Sequence, residues 1–398
     1  MLQAFLSNLE NADHPLLGPT LWGLGRWGIW LPKRDSKIPI IIHILAIIFV
    51  ISQYVELWHI RADIDLALRN LSVTMLSTVC VIKAGTFVVW QEHWKDVMEY
   101  VSSLERAQLS KNDKVTNKIL EQYRVYSRRV TYFYWSLVAA TVWTVILAPL
   151  VAYWSSKEYR NSIRDGEAKY PEILSSWLPF DRTRGPGYWV SVVEHILICF
   201  YGGGVVATYD SNAVVLMSFF SGQLKLLSVN CSRLFSDDED GKTDEDKLVD
   251  IKECHNHHLL LIKYSQILNG LLSPVMFLYV IICSLMICAS AIQMNTDGTS
   301  KMQRIWLAEY LIALIAQLFL YCWHSNEVLF MSNKVDRGIY ASEWWCQSVP
   351  IRRCMLLLGG MLRKSVVFTA GPFTKLNLST FIADPIYYSF FSCLSFFN

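Results

Sequence analysis

Seven apolar stretches, separated by polar and charged segments, set the pattern of this chain. They are Ile38–Trp58, Leu66–Trp90, Val130–Trp154, Tyr188–Phe219, Ile267–Gln293, Ile305–Trp323 and Val366–Phe397. A helix needs about 20 apolar residues to cross the hydrocarbon core of a bilayer. Because a spanning segment has to satisfy its own backbone hydrogen bonds, each stretch is expected to be a helix. The pattern therefore predicts an all-α membrane protein with seven transmembrane helices.

Polar residues lie inside two of the apolar stretches. Polar or amphipathic segments also continue some of the predicted helices beyond the bilayer. The second stretch contains Arg69 and Lys83, and the fourth contains Gly202-Gly203-Gly204 followed by Asp210. Consecutive glycines favour close helix packing or a kink beside a cavity. The polar end of the fourth stretch and the amphipathic segment Lys95–Arg129 are typical of helices that continue past the bilayer. We therefore expect cytoplasmic helical extensions that form a second, aqueous anchor layer.

Basic residues are unevenly distributed among the loops. Of the 36 Lys and Arg residues, 24 lie in the N-terminal arm and in the second, fourth and sixth loops, whereas nine lie in the other loops. The positive-inside rule places the basic loops in the cytoplasm. The N-terminus is thus predicted to be cytoplasmic and the C-terminus, after seven crossings, extracellular. This orientation is opposite to that of a G-protein-coupled receptor.

Composition agrees with a membrane protein, since 53% of the residues are hydrophobic and 18% are charged. The segment Met1–Thr20 is too polar for a signal peptide, so the first span is expected to direct insertion. All ten cysteines lie in the spans or in the cytoplasmic loops of this topology. Because thiols stay reduced in the cytoplasm, we predict that every cysteine is free.

Residues that could carry catalysis or bind a metal are sparse. The run Cys254-His255-Asn256-His257-His258 places pairs of possible ligands on one helix face, but no second ligand group follows at a suitable spacing. Histidines that hydrogen-bond neighbouring helices are therefore the better interpretation. The acidic run Asp237–Asp240 lacks the glycine turn of a calcium loop and predicts a solvated segment. With no catalytic motif present, we predict no enzyme activity, metal, cofactor or nucleic-acid partner.

The loop Ser155–Gly187 is the longest segment on the predicted extracellular side. It combines three prolines with Trp177 and Phe180. Proline restricts the backbone, and aromatic side chains favour packing over solvation. This composition predicts an ordered lid over a cavity, with a solvated loop at the lipid headgroups as the alternative.

The most specific motif occupies the C-terminal third. It runs through Tyr321-Cys-Trp-His-Ser-Asn-Glu327, Trp344-Trp345, Pro350-Ile-Arg-Arg353 and Ala370-Gly371-Pro372-Phe373, and ends at Leu378-Ser-Thr-Phe381. This pattern resembles the C-terminal signature of the insect odorant receptors. The resemblance is strong over Ile251–Phe381, and the inverted layout of seven spans extends it over the chain.

The resemblance implies that this chain is the odorant-binding subunit of a heteromeric, ligand-gated, non-selective cation channel. Its partners would be an odorant coreceptor subunit in a heterotetramer, a small volatile organic ligand, permeant cations and membrane lipid. Such a multi-pass protein is expected in the plasma membrane of a sensory-neuron dendrite. Because the loop Gly222–Lys263 is short and lacks the coreceptor's insertion, the chain resembles a ligand-tuning receptor and not the coreceptor.

Two alternatives stay open at this point. A gustatory-type receptor channel of the same superfamily usually carries a Thr-Tyr…Gln-Phe run in the last span, which Thr380-Phe381-Ile382-Ala383 does not match. A seven-span transporter would show internal repeats and paired broken helices, whereas only one span of this chain is interrupted in that way.

The resemblance divides the chain into four parts. They are an N-terminal cytoplasmic arm over residues 1–37, a ligand-binding bundle of helices one to six over residues 38–325, a cytoplasmic anchor helix over residues 326–365, and a final pore-lining helix over residues 366–398.

Three groups of site residues follow from the resemblance and from the depth of each residue in its span. The predicted ligand-binding residues are Thr78, Ile82, Trp143, Leu147, Cys199, Tyr201, Tyr310 and Leu314. The predicted subunit-interface residues are Tyr340, Trp344, Trp345, Val349, Met355 and Leu358. The predicted pore and gate residues are Asp384, Phe390, Leu394 and Phe397.

The pair Asp384-Pro385 departs from the family pattern. Proline breaks or kinks a helix, and an aspartate within the membrane is either functional or costly. Either Asp384 faces the pore and attracts cations, or this C-terminus is atypical, even an altered splice product.

Overall fold

The computed structural model describes residues 9–30, 38–165, 170, 172–179, 185–235, 243–295 and 301–383. In chain order the helices and strands are α1 (Gly18–Arg26), α2 (Ile38–Ile60), α3 (Ile64–Val89), α4 (Gln91–Ser110), α5 (Lys114–Ser155), α6 (Lys157–Arg164), α7 (Gly185–Ser232), α8 (Asp244–Asn295), α9 (Lys301–Ser332), α10 (Arg337–Ala341), α11 (Val349–Leu362), β1 (Thr369–Ala370), β2 (Thr374–Lys375) and α12 (Leu378–Ala383). Within these residues, six helices are long and apolar enough to cross a membrane, namely α2, α3, α5, α7, α8 and α9. The first six predicted spans are therefore confirmed.

Helix α7 is the central helix of the bundle and packs against α1, α3, α5, α8, α9 and α10. Nearly every residue from Val205 to Leu224 is buried, because six other helices pack around α7. A helix that buries residues on all sides is stable only when other helices enclose it. Two of the three consecutive glycines lie where this packing is closest. A side chain at Gly204 would collide with the Trp27 ring, and one at Gly203 would collide with Val142.

The predicted helical layer beyond the bundle is present. Helices α5, α7 and α8 continue well past the lengths needed for a bilayer, and α4, α10 and α11 pack against these extensions. Helix α4 begins after a break at Trp90 and buries one face, with Trp94, Val97 and Val101 inaccessible to solvent. The Trp94 ring stacks on Phe87 at the end of α3, with ring centroids 4.3 Å apart. This contact fixes α4 against the bundle.

Part of the N-terminal arm forms a packed helix. Leu17 and Leu24 of the α1 region are fully buried, and α1 lies against α7. The Arg128 guanidinium donates to the carbonyl oxygens of Pro15 and Leu16 at 2.6 and 2.9 Å, and the Leu16 amide donates to the Glu105 carboxylate at 2.9 Å. Residues 9–30 are thus a docked part of the fold.

The anchor region differs from the prediction of one helix over residues 326–365. Helix α9 extends to Ser332, after which the chain forms α10, a short 3₁₀ turn at Trp344–Cys346, and α11. Pro350 lies in the first turn of α11, where its missing N–H costs nothing. The sequence of short helices folds back on α7 and α8 instead of extending as one rod.

The predicted final span is wrong in its first part. Residues from Val366 onward form a two-stranded hairpin, in which Thr369 pairs with Lys375 and Ala370 with Thr374, and the following helix α12 begins at Leu378. The turn contains Gly371 at φ +66°, a conformation that other residues rarely adopt. The backbone of Gly371 donates to the hydroxyl of Ser273 at 2.9 Å, which attaches the hairpin to α8.

The structure also tests the predictions about thiols and metals. The cysteines that it describes with their side chains, eight in number, are all free. No group of three or more potential metal ligands occurs within the described residues. In the Cys254–His258 run, His257 forms a hydrogen bond with the amide oxygen of Gln223 at 3.1 Å, as predicted for a histidine between helices. The acidic run Asp237–Asp240 lies outside the described residues.

Candidate functional site

A cavity of about 220 Å³ lies between α2, α3, α5, α7 and α9, in the half of the bundle away from the helical layer. Its walls are mostly aliphatic and aromatic. The apolar residues that line it include Ala46, Phe49, Val50, Leu76, Val81, Leu137, Val142, Val145, Ile198, Val206 and Ala313. An enclosed, apolar cavity with few polar groups is the usual form of a small-molecule site.

Four of the eight predicted ligand-binding residues line this cavity. They are Cys199, Tyr201, Tyr310 and Leu314. The other four, Thr78, Ile82, Trp143 and Leu147, do not line it, although they lie at the same depth. Their places are taken by neighbours in the chain, which are Ser77, Val81, Val142 and Val145.

The difference at these four positions is one of helical phase. Successive residues of a helix point about 100° apart, so a shift of one residue moves a side chain off the cavity face. Trp143 and Leu147 turn away from the bundle, with 52% and 41% of their surfaces exposed. The Thr78 hydroxyl instead shares a hydrogen bond of 3.0 Å with Tyr54 of α2. The depth of a residue could be read from the sequence, but its direction could not.

The described part of the third loop covers the cavity, as the lid interpretation predicts. Leu174 is buried and lines the cavity. Two residues after Leu174 bond to the helices on the two sides of the mouth. The Ser176 hydroxyl lies 2.9 Å from Nε2 of His195 in α7, and the Trp177 amide donates to the Ser52 carbonyl in α2 at 3.2 Å. These bonds hold residues 172–179 across the mouth between α2 and α7.

The polar floor of the cavity was not predicted. Tyr134 and Gln317 line the cavity, and both donate to one carboxylate oxygen of Asp210, at 2.6 and 2.5 Å. The Lys83 ammonium and the Tyr321 hydroxyl reach the other oxygen at 2.6 and 2.7 Å. The Asp210 carboxylate therefore receives donors from α3, α5 and α9.

The Lys83–Asp210 ion pair lies inside the bundle, with relative exposures of 0% and 2%. The Lys83 ammonium also lies 5.2 Å from the centroid of the Tyr279 ring, a favourable cation–π distance. Removing two charges from water costs several kcal/mol per ion unless other bonds satisfy them. Both residues stand out in the sequence as charges within apolar stretches, and a charge in a membrane span needs a partner. That signal could have suggested the pair.

The predicted subunit-interface residues separate into two groups. Met355 and Leu358 are buried in the core of this same chain, and Trp344 is half-buried. The apolar residues of α10, α11 and the turn between them that face outward are Tyr340, Trp345, Val349, Leu356, Leu357 and Met361. The predicted pore and gate residues, Asp384, Phe390, Leu394 and Phe397, lie outside the described residues.

Comparison with known proteins finds relatives that are all odorant receptors. The sequence model of the 7tm odorant receptor family matches residues 63–383. Odorant receptor 82a of Drosophila melanogaster is 24% identical over 360 residues, which are 88% of this chain and 90% of that protein. Odorant receptor Or2 of Anopheles gambiae is 22% identical over 333 residues, which are 83% of this chain and 84% of that protein.

A solved structure of the olfactory receptor OR5 from Machilis hrabei in complex with eugenol has the same fold, with a TM-score of 0.79, 16% identity and coverage of 97% of this chain and 100% of that chain. A second structure of that receptor gives a TM-score of 0.78 at 18% identity. These relatives are receptors and not enzymes, and the family match favours neither the gustatory-type nor the transporter alternative. Since the match extends over most of the chain, this multi-pass membrane protein belongs to the 7tm odorant receptor family.

Proposed function

We propose that this odorant receptor is the ligand-tuning subunit of a heteromeric, ligand-gated, non-selective cation channel in the plasma membrane of sensory-neuron dendrites. The observation that carries the proposal is the lidded, apolar cavity of about 220 Å³. A volatile molecule offers little polarity, so burial of its apolar surface, at about 25 cal/mol per Å², must supply most of the binding energy. An enclosed cavity maximises that burial.

The likeness to the Machilis hrabei receptor supports a ligand of this size, since that receptor was solved in complex with eugenol. For this chain we infer a small, volatile organic ligand bound between α3, α5, α7 and α9. The side chains that would contact it are those that line the cavity, including Cys199, Tyr201, Tyr310 and Leu314.

The outward apolar face of α10 and α11 supports assembly with other subunits. Trp345, Leu356 and Leu357 are each more than half exposed, and this surface lies in the helical layer beyond the bundle. A contiguous apolar surface in water marks an interaction site. We infer that it contacts neighbouring subunits, including an odorant coreceptor, in a heterotetramer.

The start of the last helix is attached to the ligand-binding bundle. The Ser325 hydroxyl of α9 donates to the Leu376 carbonyl at 2.6 Å, and the Phe319 and Phe381 rings pack with centroids 5.6 Å apart. This attachment supports the proposal that the C-terminal segment responds to the ligand. The pore role of Asp384, Phe390, Leu394 and Phe397 remains a prediction from the family pattern.

The function is tested by whole-cell recording from cells that express this chain with and without an insect odorant coreceptor, against a broad panel of volatiles. We expect odorant-evoked cation current that needs the coreceptor and persists when G-protein signalling is blocked. Silence despite surface delivery of both subunits would contradict the proposal.

Two neighbouring substitutions in α9 separate the cavity from the lipid-facing surface. Ala313 lines the cavity, whereas Ile312 is 56% exposed on the outer face. We expect Ala313→Phe to fill the cavity and raise the half-maximal odorant concentration at least tenfold, and Ile312→Phe to leave it unchanged. Equal responses of the two variants would show that the ligand binds elsewhere.

A further inference from the structure

The side chains of Tyr134 and Gln317 separate two cavities. On one side is the ligand cavity, and on the other is a much smaller one of about 10 Å³, which Asp210 and Tyr321 also line. A ligand in the larger cavity would meet Tyr134 and Gln317 but not the Asp210 carboxylate behind them. The charged pair therefore acts on a ligand only through these two side chains.

We call the side chains of Tyr134 and Gln317 the partition. The hydrogen bonds that they already make determine which donors and acceptors remain for a ligand. The Tyr134 hydroxyl gives its proton to Asp210, which leaves its oxygen free to accept. The Gln317 amide gives one N–H to Asp210, and its oxygen accepts from the Tyr279 hydroxyl at 3.0 Å, which leaves the second N–H. Because both bonds converge on the same Asp210 oxygen, the Tyr134 hydroxyl and the Gln317 amide are neighbours on the cavity wall.

Three of the other hydroxyl groups of the cavity wall are engaged elsewhere, and Tyr201 contributes a further one. Ser77 donates to the Val73 carbonyl at 3.0 Å and Thr141 to the Leu137 carbonyl at 3.1 Å, each within its own helix. The Tyr310 hydroxyl is directed at the Met286 sulfur at 3.6 Å, outside the paired arrangement. The partition is thus a place where an acceptor of one residue and a donor of another are offered together.

We propose that Asp210, held by Lys83, is a positioning residue that orients Tyr134 and Gln317 to recognise the hydroxyl group of a small, otherwise apolar alcohol. A hydroxyl group donates one hydrogen bond and accepts another, which matches the Tyr134 oxygen and the Gln317 N–H. A hydrocarbon of the same shape satisfies neither, and a site built for a hydroxyl group discriminates against ligands that lack one. This inference rests on the proposed function, since it assumes that the ligand occupies the cavity.

The test compares hexanol with heptane, in which a methyl group replaces the hydroxyl, on purified receptor in nanodiscs. Affinity is taken from the ligand-dependent rise of the thermal unfolding midpoint. Both affinities are referred to the ligand concentration in the lipid, which removes the stronger transfer of heptane out of water from the comparison. On that scale we expect the wild-type receptor to bind hexanol about tenfold more tightly than heptane, as two hydrogen bonds allow.

Three variants probe the partition and its support. Tyr134→Phe and Gln317→Leu remove the acceptor and the donor, and the double variant Lys83→Met/Asp210→Leu replaces the charged pair with apolar residues of similar volume, which protein interiors tolerate. Each should reduce the preference for hexanol several-fold and leave heptane affinity unchanged. The matched control is Tyr126→Phe, which removes another hydroxyl of α5 whose partner, Nε2 of His324 at 3.2 Å, is away from the cavity.

Several outcomes would overturn the inference. They are a double variant that keeps the wild-type preference, a double variant that loses hexanol and heptane affinity equally, and a wild-type receptor that binds hexanol no better than heptane. A wild-type receptor that binds neither hexanol nor heptane counts as the third of these outcomes. Loss of odorant-evoked current with the binding preference intact would instead count against the channel function, because binding is measured without current.

Discussion

The buried carboxyl of Glu105 should make the stability of this receptor depend on pH. Glu105 lies on α4 in the helical layer with 1% of its surface exposed, and its carboxylate accepts the Leu16 amide from the docked N-terminal segment. Burial raises the pKa of this carboxyl from 4.5 to about 7, against the opposing effect of the Leu16 hydrogen bond and the nearby Arg124 and Arg128.

The direction of the pH dependence follows from the linkage between proton binding and folding. A carboxyl whose folded pKa lies above its unfolded pKa binds protons on folding, so its contribution is complete below pH 4.5 and is lost as the pH rises to about 7. A shift of this size corresponds to about 3 kcal/mol, since each pKa unit is worth about 1.4 kcal/mol. Glu105→Gln keeps the acceptor for the Leu16 amide but cannot ionise, so it should be more stable than the wild type at pH 8 and no more stable at pH 5.

The assay is thermal unfolding of the purified protein in detergent between pH 5 and pH 8, followed by tryptophan fluorescence. The matched control is Glu99→Gln on the same helix, whose side chain is 63% exposed and should leave the pH dependence of the wild type intact. If the Glu105→Gln variant loses stability between pH 5 and pH 8 as steeply as the wild type, the carboxyl is not the group responsible.

Three further predictions concern the bundle and its connections. Lys83→Met or Asp210→Leu alone should each cost about 3–5 kcal/mol, because the remaining charge is left unpaired. The double variant should regain only part of that loss, because Tyr134, Gln317 and Tyr321 lose their acceptor; a double variant no more stable than either single variant would refute the pairing. Gly204→Leu should abolish surface delivery, since its side chain would collide with the Trp27 ring; normal delivery in a surface-biotinylation assay would contradict that packing. Asp113→Ala should cost about 1 kcal/mol in thermal unfolding, because the carboxylate accepts the Thr116 amide at 2.9 Å at the start of α5. The Thr116 hydroxyl, the Thr116 amide and the Arg233 guanidinium donate to this carboxylate and hold the pKa of Asp113 well below its usual range. The loss should therefore vanish in acid, as the contribution disappears when the pH falls through the folded pKa.

The membrane bundle was predictable from the sequence because long apolar stretches have few alternatives in a bilayer. The final segment was not, although a signal was present. Val366, Phe368 and Ala370 are buried at every second position, which is the period of a strand, and Gly371-Pro372 follows as a turn. The high apolar content of the segment conceals this alternation, so its hydropathy alone predicts one helix.

The site residues were predictable in depth but not in direction. On α11, Met355 and Leu358 face the core, while Leu356 and Leu357 face outward, and an apolar helix does not show which face is which. The Lys83–Asp210 pair joins residues 127 positions apart, and no local pattern specifies a contact of that separation. Each charge alone suggests that a partner exists, but only the packing of α3 against α7 identifies it.

Helix α9 carries both the ligand-binding residues and the attachment of the last helix. Tyr310, Leu314 and Gln317 line the cavity, and Phe319, two residues after Gln317, packs against Phe381 of α12. A ligand shifts a conformational equilibrium only as far as it binds the two states differently. In the proposed channel, the bond between Gln317 and Asp210 would oppose any displacement of Gln317 by a ligand, so we expect the ion pair to influence how far α9 moves with the cavity occupied. A weak partition would let the ligand rearrange side chains locally, whereas a partition fixed by four donors transfers the displacement to the helix, and through it to α12.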